Sequence, residues 1–166
     1  PTSCRSGFRP LAEIYKTPRT ASIEIGPVQK GEDMPEINWL AVLAAALSMF
    51  VLGGVWYSPA LFAKPWQRAA GLTDAQLQAG NPRLIFGAAF VLSLLMAANL
   101  AFFLSGPDVT LGFALGAALA AGLGWAAFGT AILALFERRP LAYSLINGGY
   151  LTLGFLIMGL ILGLWR

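Results

Sequence analysis

Four long apolar stretches dominate the chain, at about Ile37–Tyr57, Leu84–Ser105, Val109–Phe136 and Leu141–Trp165, with short polar segments between them. None alternates apolar and polar positions with a strand's period of two, as the segments of a transmembrane barrel would. Each is apolar on every side, the pattern of a helix surrounded by lipid or protein rather than half-exposed to water. About 20 apolar residues rising 1.5 Å each cross a hydrocarbon core of roughly 30 Å. The pattern therefore predicts an all-α integral membrane bundle of four transmembrane helices.

The ends of these stretches are marked. Trp39 and Trp56-Tyr57 stand where aromatic belts are expected. Ser58-Pro59 closes the first helix, because a residue before proline is pushed out of the helical region. The following segment mixes large apolar side chains with a cation, so an interfacial elbow is expected at Trp56, Tyr57, Ser58, Pro59, Lys64 and Trp66. Within this first loop, Thr73 and Gln76 have the spacing of a capping box, and Leu72 and Leu77 that of a hydrophobic staple. Gly80 and Asn81-Pro82 then read as a stop. Gly106-Pro107-Asp108 and Glu137-Arg138-Arg139-Pro140 are tight turns, which make the last three helices consecutive antiparallel hairpins.

Composition narrows the chemistry. Of 166 residues, 57% are hydrophobic and 11% charged, against about 25% charged in a soluble domain. There is no His, and the one Cys, Cys4, lies ahead of the apolar stretches. His/Cys metal sites, Cys-His nucleophilic catalysis and a disulfide framework lack their residues, so no metal, cofactor or catalytic site is expected. The net charge of +3 is spread over loops rather than gathered in a basic stripe, so nucleic acid is not an expected partner. The expected partners are the lipid bilayer and a possible second copy in a homodimer. Residues 1–33 hold Arg5, Arg9, Lys16, Arg19, Lys30 and four acids without periodicity. They are expected to be a disordered leader foreign to the native protein, whose start is expected at Met34.

No Asp, Glu, Lys, Arg or His falls within the four apolar stretches, and intramembrane ionisable groups are the usual mark of proton relays and coupled transport. Neutral polar groups remain. Tyr143, Asn147, Tyr150 and Gly154 share one helical face, Thr130 lies at the depth of Asn147 across the last hairpin, and Asn99, Ser48 and Ser93 are further polar candidates. These can bond helix to helix, or line a path for a small neutral or cationic solute. Gly112, Gly116 and Gly124, with Ala120 between them, recur every fourth residue, and Gly159 and Gly163 do so on the last helix. Such ladders let backbones approach within the chain or across a homodimer. Trp125 is expected as core filler, with Thr152 a candidate partner for its indole N–H; the sharper alternative is a wall on which a cation stacks.

The run Gly53-Gly54-Val55-Trp56-Tyr57-Ser58-Pro59-Ala60-Leu61-Phe62-Ala63-Lys64-Pro65-Trp66, with Phe136-Glu137-Arg138-Arg139-Pro140-Leu141, Ile146-Asn147-Gly148-Gly149-Tyr150 and Ile157-Met158-Gly159, resembles the domain-of-unknown-function 1761 family of small, mainly bacterial membrane proteins. The resemblance covers about Met34 to Arg166. It implies a four-helix inner-membrane protein and carries no activity, substrate or active-site residue.

The expected function is a non-enzymatic structural or interaction component of the bacterial cytoplasmic membrane. The alternative is a small transporter or channel for a neutral or cationic solute. Topology follows from the positive-inside rule, which counts Lys and Arg in short loops. Lys64, Arg68, Arg83, Arg138 and Arg139 lie in the first and third loops, against Arg166 alone on the other side. The five leader cations would cancel that bias. For a chain begun at Met34, both termini are expected outside, so a cytoplasm-active reporter fused after Arg166 should stay silent. Strong signal there, with none from an insertion near Gln78, would reverse the orientation.

Overall fold

The computed structural model describes residues 36–165. The expected leader and the expected start at Met34 lie outside the described residues. Four helices in the described part are long and apolar enough to cross a membrane: α1 (Trp39–Trp56), α4 (Pro82–Phe103), a third span over Leu111–Phe136, and α7 (Leu141–Leu164). The third span is α5 (Leu111–Leu119), a π-helical stretch (Ala120–Ala127) and α6 (Phe128–Phe136). Two short helices, α2 (Ala63–Ala70) and α3 (Asp74–Gln78), join the first two spans.

The helix starts follow local chemistry. Asn38 caps α1, its side-chain oxygen accepting from the N–H groups of Leu40 and Ala41 at 3.1 Å. Thr110 caps α5 in the same way through the N–H of Phe113. At α3 the capping box is complete: Thr73 Oγ1 accepts from Gln76 N–H, and Gln76 Oε1 accepts from Thr73 N–H at 2.9 Å. α3 ends at Gln78, ahead of the stop expected at Gly80 and Asn81-Pro82, and the same Asn81-Pro82 also starts α4, with Asn81 as N-cap and Pro82 in the first turn, where its missing N–H costs nothing. The second span thus begins two residues early and takes in Arg83. One cation sits inside a span after all, at the end from which a long side chain reaches water.

Both elements that meet at the elbow end in the same six-to-one, five-to-two turn. After α2, Leu72 N–H bonds the Gln67 carbonyl and Gly71 N–H that of Arg68, with Gly71 at φ 68°. After α6, Arg139 N–H bonds the Ala134 carbonyl and Arg138 N–H that of Leu135, with Arg138 at φ 55°. Glycine adopts this left-handed conformation freely; an arginine there carries a backbone cost of order 1–2 kcal/mol.

α1 and α7 form the centre of the bundle. α4 packs on the outer side of α1, and the third span packs on α7. The contacting faces are built from small residues: Ala41, Ala45 and Ala46 on α1, Ser93, Ala97 and Ala101 on α4, Ala114 and Ala118 on α5. Lipid gives helices no hydrophobic reason to associate, so close van der Waals approach must hold them. α4 and the third span meet at their turn, where Phe103 stacks on Phe113 with centroids 6.1 Å apart. Away from the turn they bound a groove of about 630 Å³ with Asn99, Phe103, Ala121 and Trp125 on its walls and Phe155 at its base.

The π-helical stretch re-phases the third span. Its buried positions run Ala114, Ala118, Gly122 at steps of four, then step five to Ala127. A regular helix would have turned position 126 inward and kept Trp125 beside the contact. Trp125 is instead 83% exposed, not core filler, and Thr152 Oγ1 donates to the Gly148 carbonyl rather than meeting the indole.

The glycine ladders divide. A Cβ at Gly159 would stand 2.5 Å from the Ala118 Cβ and 3.0 Å from the Ala114 carbonyl oxygen, and one at Gly163 2.9 Å from the Ala114 Cβ. Gly116 and Gly124 meet nothing within 4 Å and Gly112 only Thr110, so the ladder on the third span is not used for packing within the described residues. The positions that are used there are Ala114, Ala118 and Gly122. Gly159→Ala is therefore expected to destabilise by about 1–3 kcal/mol, and Gly124→Ala to be neutral or slightly stabilising for the single chain, since alanine is the better helix former. Reversible unfolding in detergent checks the pair; equal effects would contradict this packing.

Candidate functional site: the elbow and the fourth span

Past Trp56 the chain makes two turns, in which the Ser58 carbonyl accepts from the N–H groups of Leu61 and Ala63. It then enters α2, with Pro65 in the first turn, where proline is tolerated. The segment expected as an interfacial loop is thus largely helical. α2 turns Ala69 and Ala70 inward and keeps Lys64, Pro65 and Arg68 exposed, as is Pro59 ahead of it.

The elbow's aromatic side chains face the fourth span more than the lipid. Trp56 Nε1–H donates to the Ile146 carbonyl at 3.0 Å, and its ring lies on Gly149, where a Cβ would come within 3.2 Å. The Tyr57 hydroxyl donates to Asn147 Oδ1 at 2.7 Å, while Asn147 Nδ2–H donates to the Tyr143 carbonyl at 2.9 Å. Tyr150 packs edge-on against Tyr57 with centroids 5.3 Å apart, and its hydroxyl reaches the Met49 carbonyl at 3.4 Å beneath Gly53. Trp66 also packs edge-on against Tyr57, with centroids 5.5 Å apart. The Trp56–Tyr57 stretch and the Ile146–Tyr150 stretch are thus one structural unit.

The third loop closes the same corner. Arg139 Nη1–H donates to the Ala70 carbonyl at the end of α2, where an unsatisfied helix carbonyl favours a cation. Its Nε–H also bonds Glu137 at 3.2 Å, and its guanidinium lies 5.8 Å from the centre of the Tyr143 ring. On the outer side, Asp74 accepts from the Gln67 amide at 2.7 Å and lies 3.6 Å from Lys64 Nζ. These two partners, Gln67 foremost, hold its carboxyl below the usual range. Asp74 thus stays charged until the solution is more acidic than its ordinary pKa of about 4, and the link between α2 and α3 weakens only as pH falls below that.

Of the expected polar face, Asn147, Tyr150 and Tyr143 meet at this corner. Thr130 does not join them, because its hydroxyl donates to Ala126 on its own helix. Ser48 and Ser93 likewise bond their own helices, at Ala45 and Ala89. Asn99 is exposed on the groove beside α4 rather than buried. Among the described residues no cluster of three or more His, Cys, Asp or Glu could hold a metal. Sequence reasoning missed Arg139, the Ala70 carbonyl and Gly149; the Gly148-Gly149 pair, bare of side chains, was the available sign that a ring lies against it.

The family model described as a protein of unknown function, DUF1761, matches residues 40–163. The chain belongs to that family. The match takes in all of the DUF1761 chain's elbow and its partner stretch on α7. No curated protein and no solved structure matches it.

In this DUF1761 protein, Tyr57→Phe leaves Asn147 Oδ1 without its donor in a half-buried site, which costs about 1–3 kcal/mol. Tyr57→Phe combined with Asn147→Leu should cost less than the two single changes added together. A double-mutant cycle from unfolding in detergent measures this, and strict additivity would mean that the two side chains do not interact.

Proposed function

We propose that the protein is a non-enzymatic structural or interaction component of a membrane, the bacterial cytoplasmic membrane in the reading the sequence favours, with both termini of the Met34–Arg166 unit outside. The observation that supports this is the state of Asn147. Its amide is engaged on both sides, by Tyr57 and by the Tyr143 carbonyl, so the most concentrated polar chemistry of the spans joins two segments instead of facing a passage. The ladder of Gly112, Gly116 and Gly124 has no close neighbour on α7 and is the face a second copy would use.

The transporter alternative has one observation in its favour, the groove carrying Asn99 between α4 and the third span. Proteoliposomes holding the purified chain separate the two. No flux of small neutral or cationic solutes above that of empty vesicles is expected. Flux that falls several-fold with Asn99→Leu would replace the first reading by the second.

A further inference from the structure

The cations around the elbow are unequally matched. Lys64 is paired with Asp74 and Arg139 with Glu137, which uses both acids present there. Arg68 and Arg138 have no ion pair among the described residues. The Arg139 contact brings them together: it joins the third loop to the Ala70 carbonyl, two residues past Arg68, and Arg138 is its immediate neighbour. Arg68 shares the exposed face of α2 with Lys64, one helical turn apart, while the opposite face of α2 is buried through Ala69 and Ala70. Two exposed guanidinium groups without an ion pair thus lie on the two segments that the Arg139 bond joins, where the first span ends and the fourth begins.

Arg138 is there at a cost. Its φ of 55° belongs to a position that Gly71 fills with glycine in the matching turn after α2. The turn's two backbone bonds hold that conformation, and Arg138 bonds no protein acceptor with its side chain among the described residues. A guanidinium presents several N–H donors in a plane that fits two phosphate oxygens.

We propose that Arg68 and Arg138, flanked by Lys64, form a binding surface for the headgroup of an anionic phospholipid. The site does not depend on the absence of enzymatic activity or on the orientation of the chain. Charge complementarity identifies the occupant: the face is cationic, its own acids are already paired, and it adjoins the ends of two apolar spans.

The test uses the full chain in detergent and native mass spectrometry, with phosphatidylglycerol and phosphatidylcholine of identical acyl chains and, separately, inorganic phosphate. The wild-type chain should retain phosphatidylglycerol in preference. Arg68→Gln with Arg138→Gly should reduce that preference by on the order of 30-fold, at roughly fivefold for each cation near a lipid surface. Arg138→Gly relieves the backbone cost, so this variant should melt no lower than the wild type, and loss of binding cannot be assigned to misfolding. Arg83→Gln, at the start of α4, should reduce the preference by about fivefold at most, the share of one cation near a lipid surface. Equal retention of the two lipids, an unaffected double variant, or displacement of phosphatidylglycerol by millimolar phosphate would each overturn the proposal.

Discussion

Met49 fills the place that a side chain at position 154 would need. That contact sets the distance between α1 and α7, and the rest of the bundle is referred to it. Dispersion falls away within a fraction of an ångström of the optimum, so helices that have only dispersion to hold them must approach as closely as their backbones permit. Gly154 allows this toward α1, and Gly148, Gly159 and Gly163 allow it toward the third span. With α1 and α7 fixed at this spacing, the end of α1 arrives beside Ile146–Tyr150, and the elbow folds back onto that stretch.

The spans were legible because length and uniform apolarity are properties of the sequence alone. Their contacts were not. Small residues recur at steps of four on more than one face of the third span, so the Gly112, Gly116 and Gly124 ladder was as visible as the Ala114, Ala118 and Gly122 row, and only the second is used. The step of five to Ala127 is invisible to any fixed period, and it is what turns Trp125 outward. α2 does not stand out in the sequence as a helix because eight residues with a proline among them carry too little periodicity to register.

The polar residues divide on a similar principle. A Ser or Thr in a helix can satisfy itself on a carbonyl three or four residues back, and Ser48, Ser93, Thr130 and Thr152 all do so. Their positions therefore say little about neighbours. Asn147, Trp56 and Tyr57 reach beyond their own turns, and those residues tie the elbow to α7. In a bilayer each such bond contributes only about 0.6 kcal/mol on average, which is enough to choose among packings that dispersion leaves nearly equal. The corner was thus half-readable: the polar side chains were evident, and the backbone carbonyls they meet were not.

The Arg139 bond to the Ala70 carbonyl spans 69 residues of sequence, and those of Trp56 and Tyr57 to the fourth span each cover 90. Synthesis runs from the N-terminus, so α1 enters the bilayer and α2 reaches its surface before any of these partners exist. Until α7 emerges, Trp56 Nε1–H and the Tyr57 hydroxyl must be satisfied by headgroups or water. The elbow can take its final form only when the last span is inserted. Assembly of this corner is therefore a late step in biogenesis, and a chain arrested before residue 139 would display an undocked amphipathic helix to the translocation and quality-control machinery of the membrane.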